Sequence, residues 1–196
     1  MERHFKNMTG YQKFYLFLRR PLHIAAACLF PLLINAQRYV PVDASSSIKV
    51  IIKNVGMDTE GTLTGIRGNI YFDPATLKTA VFAVTVDAAS INTDIAPRDA
   101  ALRGPDFLQT DKYPTLGFTS SKVTALGAGK FLLRGSLTIK GITKEISFPF
   151  TAVQQDGGMM FRGEMRLNRK NYNLAPGSIV LSDNFTVTLK VFAVKE

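Results

Sequence analysis

Four aspartates, Asp94, Asp99, Asp106 and Asp111, crowd into residues 94–111 alongside Arg98 and Arg103. Carboxylates at that density can supply a general acid and its base, or can hold a divalent cation. The spacing does not support a cation, because the D-x-D-x-D-G rhythm of a calcium loop is absent. Helix caps, turn acids and ion pairs explain the same residues more simply, and Arg98 is expected to pair with Asp94 or Asp99. Other catalytic chemistries lack their residues. Both histidines, His4 and His23, and the single cysteine, Cys28, precede residue 37, and the chain has no tryptophan. From Gln37 onward, Ser-His-Asp and Cys-His catalysis, ordinary zinc sites, haem ligation and iron–sulfur clusters are excluded. No catalytic residue, metal or cofactor is expected, and with no disulfide to form, stability must come from packing.

The first 36 residues read as an export leader. Lys6, Lys13, Arg19 and Arg20 form a basic region, and residues 22–34 are an apolar run too short to span a bilayer comfortably. Ala36 places a small residue before Gln37, so cleavage near Ala36 and a periplasmic or otherwise exported location are expected. The run Ala25-Ala26-Ala27-Cys28 resembles a lipoprotein processing site. The apolar run continues past Cys28, however, which disfavours anchoring there. Of 24 Lys/Arg and 15 Asp/Glu, five and one fall in the leader, leaving 19 against 14 and a net charge of +5. A mild, dispersed positive charge suits solubility or contact with an anionic membrane surface, not nucleic-acid binding.

Elements must position whatever these residues do, and the dominant signal is alternation of period two. Apolar rows run Ile48, Val50, Ile52; then Ile66, Ile70, Phe72; then Phe82, Val84, Val86; then Leu116, Phe118. Later rows are cleaner: Phe131, Leu133, Leu137, Ile139; Ile146, Phe148, Phe150; Phe161, Met165, Leu167; Phe185, Val187, Leu189, Val191. Asp73-Pro74, Gly127-Ala128-Gly129, Lys140-Gly141 and Asp156-Gly157-Gly158 mark hairpins between rows. The pattern predicts about eight long antiparallel strands, each with one apolar face.

A closed barrel and a two-sheet sandwich both satisfy this pattern, and long strands with short hairpins favour the barrel, because closure removes exposed edges. Eight strands suffice to fill the lumen or to hold one small ligand. Gly68, Gly135 and Gly163 fall within the Phe-rich inward rows. They mark either strand bending and ligand approach, or room that bulky Phe side chains fill. Residues 93–114 break the alternation and predict a short helix capped by Thr93 or Asp94. Pro97 sits in its first turn and Gly104-Pro105 ends it. So short a helix is not stable alone, so Leu102, Phe107 and Leu108 should dock on the barrel as a lid or plug.

Several motifs resemble those of the YceI family of exported bacterial lipocalin-like proteins. They include Asp43 with Ser47-Ile48-Lys49-Val50, and Gly68-Asn69-Ile70-Tyr71-Phe72-Asp73-Pro74. Arg98-Asp99, Leu102-Arg103, Asp106-Phe107 and Tyr113-Pro114 follow in order, then Leu137-Thr138-Ile139-Lys140-Gly141, Asn168-Arg169 and Leu181-Ser182-Asp183. Ser46 and Ala101 stand where that family commonly has His, and Tyr172-Asn173 where Phe-Gly is common. The resemblance implies an all-β, extended eight-stranded antiparallel barrel, lipocalin-like, with a helical insertion near residues 95–110. It also implies a long apolar cavity that takes a polyisoprenoid, an isoprenoid quinone or a similar lipid.

Each buried CH₂ of such a ligand contributes about 0.8 kcal/mol, so an apolar channel suffices for affinity. Candidate lumen residues are Ile48, Val50, Ile70, Phe72, Phe82, Val84, Phe118, Leu133, Leu137, Phe148, Phe150, Phe161, Met165 and Leu189. Any barrel also needs apolar inward rows simply to pack. A phosphate or quinone head needs donors at the cavity mouth, for which Arg98, Arg103 and Arg169 are the candidates. The expected protein is a monomer or homodimer that carries or stores a lipid in the envelope. A barrel with a filled core acting in envelope stress is the alternative, and a carboxylate-dependent hydrolase is the third reading.

Overall fold

A computed structural model describes residues 37–196, so the leader reading, with His4, His23, Cys28 and cleavage at Ala36, lies outside the described residues. Ten strand segments form one antiparallel sheet that closes on itself. They are β1 (Arg38–Pro41), β2 (Ser47–Asn54), β3 (Met57–Leu63), β4 (Arg67–Tyr71), β5 (Val81–Asp87), β6 (Thr115–Gly127), β7 (Lys130–Ile139), β8 (Ile142–Gln155), β9 (Gly158–Asn168) and β10 (Leu181–Lys195). Neighbours follow the order β1-β4-β5-β6-β7-β8-β9-β10-β2-β3, and β1 also pairs with β10 to close the barrel. The ten segments are eight passes of chain, because β1 and β2 form one interrupted strand and β3 and β4 another. The fold is an eight-stranded antiparallel barrel.

The two interruptions hold each other. After β1 the chain makes a short 3₁₀ turn at Asp43–Ser45, and Asp43 Oδ1 accepts a hydrogen bond from Ile66 N (2.9 Å), between β3 and β4. Ser46 Oγ donates to Val42 O (2.7 Å) across the same turn. Closure consequently differs along the barrel. Toward one end β1 bridges β4 and β10, with Tyr39 opposite both Ile70 and Lys195. Toward the other end β2 lies against β10, pairing Ile52 with Phe185 and Ile48 with Leu189. There the free side of β3 makes one bridge, Thr62 to Asn92, so the β5–β6 connection completes the wall.

Most turns follow their sequence signals. Lys140-Gly141 joins β7 to β8 with positive φ at both residues (51° and 73°), the hairpin geometry that matches strand twist. Val55-Gly56 does the same between β2 and β3 (50° and 80°), a hairpin without a strong composition signal. Asp73-Pro74 instead opens a longer β4–β5 connection containing a 3₁₀ turn at Leu77–Thr79. In β6 the register slips between Ser120 and Lys122, which turns the inward row from Phe118 and Ser120 to Val123. Ser120 Oγ then accepts from Phe82 N (2.8 Å) at the start of β5.

The core concentrates at the β1 end. Phe72 is fully buried, with the rings of Phe131 (5.2 Å), Phe161 (5.6 Å), Phe150 (5.9 Å) and Phe82 (6.0 Å) arranged edge-on around it. Edge-to-face contacts of this kind add to area burial and fix the rings. Tyr39 packs edge-on against Phe161 (6.2 Å). This aromatic floor seals one end of the barrel.

Candidate functional site

Above the floor the inward rows stop meeting across the lumen and leave a cavity of about 500 Å³. The cavity has three kinds of wall. Alternate residues of β2, β5 and β6 through β10 supply an apolar cylinder, and Phe82, Phe150 and Phe161 present their upper faces from the floor. Two connections supply the roof. One is the β5–β6 insertion, whose helix α1 (Ala96–Arg103) contributes Ala101 and Leu102, followed by Phe107 and Leu108. The other links β9 to β10 and contributes Leu174, Ser178 and Val180. Ala175 N donates to Asp106 O (2.6 Å), joining the two halves of the roof.

Thirteen of the fourteen expected lumen residues line this cavity: Ile48, Val50, Ile70, Phe82, Val84, Phe118, Leu133, Leu137, Phe148, Phe150, Phe161, Met165 and Leu189. Phe72 does not. Its position at the end of β4 buries it in the centre of the floor, where four other rings enclose it. Leu116, Ile139, Leu167, Phe185, Val187 and Val191 also line the cavity. They belong to the same alternating rows, so the period-two signal reached them. Leu174 and Val180 lie in an aperiodic connection and carried no such signal.

The inward glycines serve packing. A Cβ at Gly163 would lie 3.1 Å from the Phe148 ring, and one at Gly135 would lie 2.7 Å from Ser120 Cα and 2.8 Å from Phe118. Phe rings therefore occupy the room these glycines leave, and neighbouring backbone closes in at Gly135. The floor is filled by side chains and the remainder of the barrel is hollow.

The three arginines differ in placement. Arg169 lines the cavity but is 1% exposed and bound on every side. Its Nε donates to Ser182 O (3.1 Å) and Nη1 to Leu174 O (3.1 Å) and Ala175 O. Nη2 donates to Ser178 O (2.8 Å) and Leu181 O (3.3 Å), and it bridges Asp183 (3.2 Å). That cation folds the β9–β10 connection around itself. Arg103 lies outside the cavity lining, and its Nε and Nη2 donate to Ala89 O (2.7 Å) and Ile91 O (2.8 Å). Arg98 lines the cavity without the expected carboxylate partner: Nε donates to Thr93 Oγ1 and Nη2 to Thr93 O, both at 2.8 Å.

The aspartates hold local structure. Asp99 is 6% exposed and accepts from Thr93 N (2.8 Å) and Thr93 Oγ1 (2.5 Å). Asp94, at φ 60°, exchanges bonds with Asn92. Thr93 and Asp94 therefore do not cap α1; Ile95 occupies that position with no side-chain bond, and Pro97 stands in the first turn as the sequence implied. Residues 105–108 form turns. Among the described residues no three acidic side chains gather to hold a metal ion.

Two tyrosines have raised pKa values. Burial pushes the Tyr172 hydroxyl up, and that hydroxyl has no hydrogen-bond partner. Burial and then the Asp73 carboxylate push Tyr39 up, while its hydroxyl donates to Gln37 Oε1 (2.7 Å). Neither residue lines the cavity, so the shifts report packing rather than a catalytic group.

A YceI-like domain matches residues 39–193, nearly all of the described barrel. The chain belongs to the YceI-like family. A UPF0312 protein of Vibrio cholerae is 32% identical over 161 residues, covering 77% of this chain and 85% of the relative. Among solved structures, BcnA of Burkholderia cenocepacia superposes with a TM-score of 0.74 at 24% identity, covering 79% of this chain and 99% of that one. The Campylobacter jejuni YceI protein gives 0.64 at 28% identity, covering 71% and 86%. A polyisoprenoid binding domain from Saccharophagus degradans, implicated in plant cell wall breakdown, gives 0.65 at 16% identity, covering 83% and 99%. The BcnA and Saccharophagus likenesses concern the fold. This YceI-like barrel shares its architecture with them.

Proposed function

We propose that the barrel binds one long apolar lipid without transforming it, and that it carries or stores that lipid in the bacterial envelope after removal of a leader near Ala36. The observation that carries this reading is the cavity itself: about 500 Å³, sealed by aromatic rings at one end and roofed by apolar side chains at the other. A volume of that order is within the range of small-molecule sites, and its apolar wall supplies affinity in proportion to the chain buried. A polyisoprenoid or isoprenoid quinone is the ligand class we favour. The name borne by the Saccharophagus fold neighbour supports it, as does a lining that is almost entirely hydrocarbon. One copy of the chain encloses the cavity, so binding requires no second subunit, and monomer and homodimer are both compatible with it.

The rim supports delivery at a membrane surface. Val55, Met57, Ile179 and Val180 are exposed apolar side chains, with Ile179 98% exposed. Val55 N donates to Val180 O (3.0 Å), so the two tips that carry them adjoin, and Val180 is itself part of the cavity wall. An apolar rim continuous with a lipid cavity would let a chain pass from bilayer to lumen without crossing water.

Native mass spectrometry of protein purified from its own envelope tests the carrier reading. The expected result is a bound lipid, with the delipidated protein taking up a prenyl quinone or a polyprenyl phosphate one to one. Recovery without lipid, together with failure to take up either probe, would overturn it.

A further inference from the structure

We infer that Arg98 is the anchor for the ligand's polar head, and that the head is an anionic oxyacid, a phosphate or a carboxylate. This rests on the lipid-binding reading above and adds the chemical class and orientation of the ligand. Arg98 stands in the cavity wall, and its guanidinium is fixed in plane by two bonds to Thr93. Thr93 is fixed in turn by the buried Asp99, which accepts from both its N–H and its hydroxyl. Against β3 the fit is tight: a Cβ at Gly61 would lie 3.1 Å from Thr93 Cγ2, so a glycine there lets the insertion seat closely on the strand. These contacts use Nε and one hydrogen of Nη2. The Nη1–Nη2 edge, with its two parallel N–H groups, has no protein acceptor, and no carboxylate lies within ion-pair distance among the described residues. With the Nε–Nη2 edge taken by Thr93, that edge is the one left for bidentate contact with an oxyacid.

A second polar atom among the lining residues lacks a partner. Asn54 Oδ1, at the end of β2, is shielded from solvent and accepts no hydrogen bond, although Asn54 lines the cavity. Buried amide oxygens are ordinarily satisfied, so this one is an exception among the lining residues. Arg169, a cation of the lining that is deeply buried where Arg98 is half-buried, is by contrast saturated with main-chain acceptors. The ligand therefore enters with its head at the seam where the insertion meets β3 and its tail directed at the aromatic floor.

The test measures the affinity of delipidated protein for four probes of equal chain length: hexadecyl phosphate, a C16 carboxylate, hexadecanol and a C16 methyl ester. Each is measured by competition against a fluorescent fatty acid, for the native chain and for Arg98→Gln and Arg98→Lys. The native chain is expected to bind the two anions at least about tenfold more tightly than the alcohol, the order expected of charge-assisted hydrogen bonds. Arg98→Gln should abolish that preference and leave alcohol and ester binding unchanged, and Arg98→Lys should restore part of it. Whichever of phosphate and carboxylate binds more tightly identifies the head. Equal loss for charged and neutral probes in Arg98→Gln would mean that Arg98 only supports the fold, and an unchanged preference would place the head elsewhere; either overturns the inference. Normal binding of alcohol and ester without preference for the anions would overturn the inference while leaving the carrier reading intact. Failure of the native chain to bind any of the four probes would overturn the inference, and failure to take up a prenyl quinone or a polyprenyl phosphate as well would overturn the carrier reading with it.

Discussion

The buried hydroxyl of Tyr172 is a liability that packing tolerates. Its ring is 1% exposed and its oxygen has no partner, so the group lost its hydration without gaining a bond. Leaving such a group unsatisfied costs about 1–3 kcal/mol. Burial also holds its pKa above the usual tyrosine value, which makes the native state the stronger proton binder at high pH. The resulting contribution is intact below the unfolded value near pH 10 and is lost as pH rises through the folded value. Tyr172→Phe is therefore expected to leave stability at pH 7 unchanged or raised by about 1 kcal/mol. It should also flatten the loss of stability above pH 10. Urea unfolding at pH 7 and across pH 9.5–11 reads both effects, and a large loss at pH 7 would show that the hydroxyl has a partner in solution. Tyr39 provides the contrast: its hydroxyl is bonded to Gln37, so Tyr39→Phe removes a made bond rather than an orphan.

At the scale of elements, the roof is held by contacts between segments far apart in the chain. Gly141, in the β7–β8 hairpin, has φ 73°, and a Cβ there would lie 2.5 Å from Tyr113 Cε1. The Tyr113 ring thus rests on the hairpin backbone and fixes the C-terminal end of the β5–β6 insertion. Gly141→Ala is expected to cost about 1–2 kcal/mol from the left-handed backbone alone. Displacement of Tyr113 should add to that and speed ligand release severalfold. Thermal unfolding checks the first effect and the dissociation rate of a bound prenyl quinone checks the second. An unchanged rate would place the gate in the β9–β10 connection instead. This contact also marks the limit of what the sequence disclosed. Alternation showed the apolar rows because a half-buried strand requires it. β3 escaped notice because only Leu63 among its inward positions is a large apolar residue; Thr59 and Gly61 are small, and the insertion lies over Gly61. The helix was visible from Pro97 and Gly104, but its start was not. Thr93, an obvious cap by type, is bound to Asp99 and Arg98 instead. Likewise the carbonyl cage of Arg169 involves residues 174–182, which have no periodic pattern to read.

For the whole molecule, the division of the barrel into a filled floor and a hollow upper half imposes a direction. The floor is where the cost of an empty lumen would be greatest, and Phe72 with its four neighbours removes it. The contacts at the aromatic end are all made within the protein and do not involve the cavity's occupant. On the proposed carrier reading, exchange takes place at the roof end, where the wall beside β3 depends on one bridge and the rim is apolar. If the rim docks on a bilayer, replacing Met57 and Ile179 with Asp should slow lipid transfer without altering equilibrium affinity. Neither side chain belongs to the cavity wall, and both are largely exposed (72% and 98%). Each exposed apolar side chain seated in lipid contributes about 1.5–3 kcal/mol, so the double variant should slow uptake from phosphatidylglycerol–phosphatidylethanolamine vesicles by at least about tenfold. Uptake of the same lipid from cyclodextrin, which presents no surface, should proceed at the native rate. Slowing by the same factor from both donors would mean that the rim shapes the entrance itself, and equal native rates from both would remove the membrane from the exchange pathway.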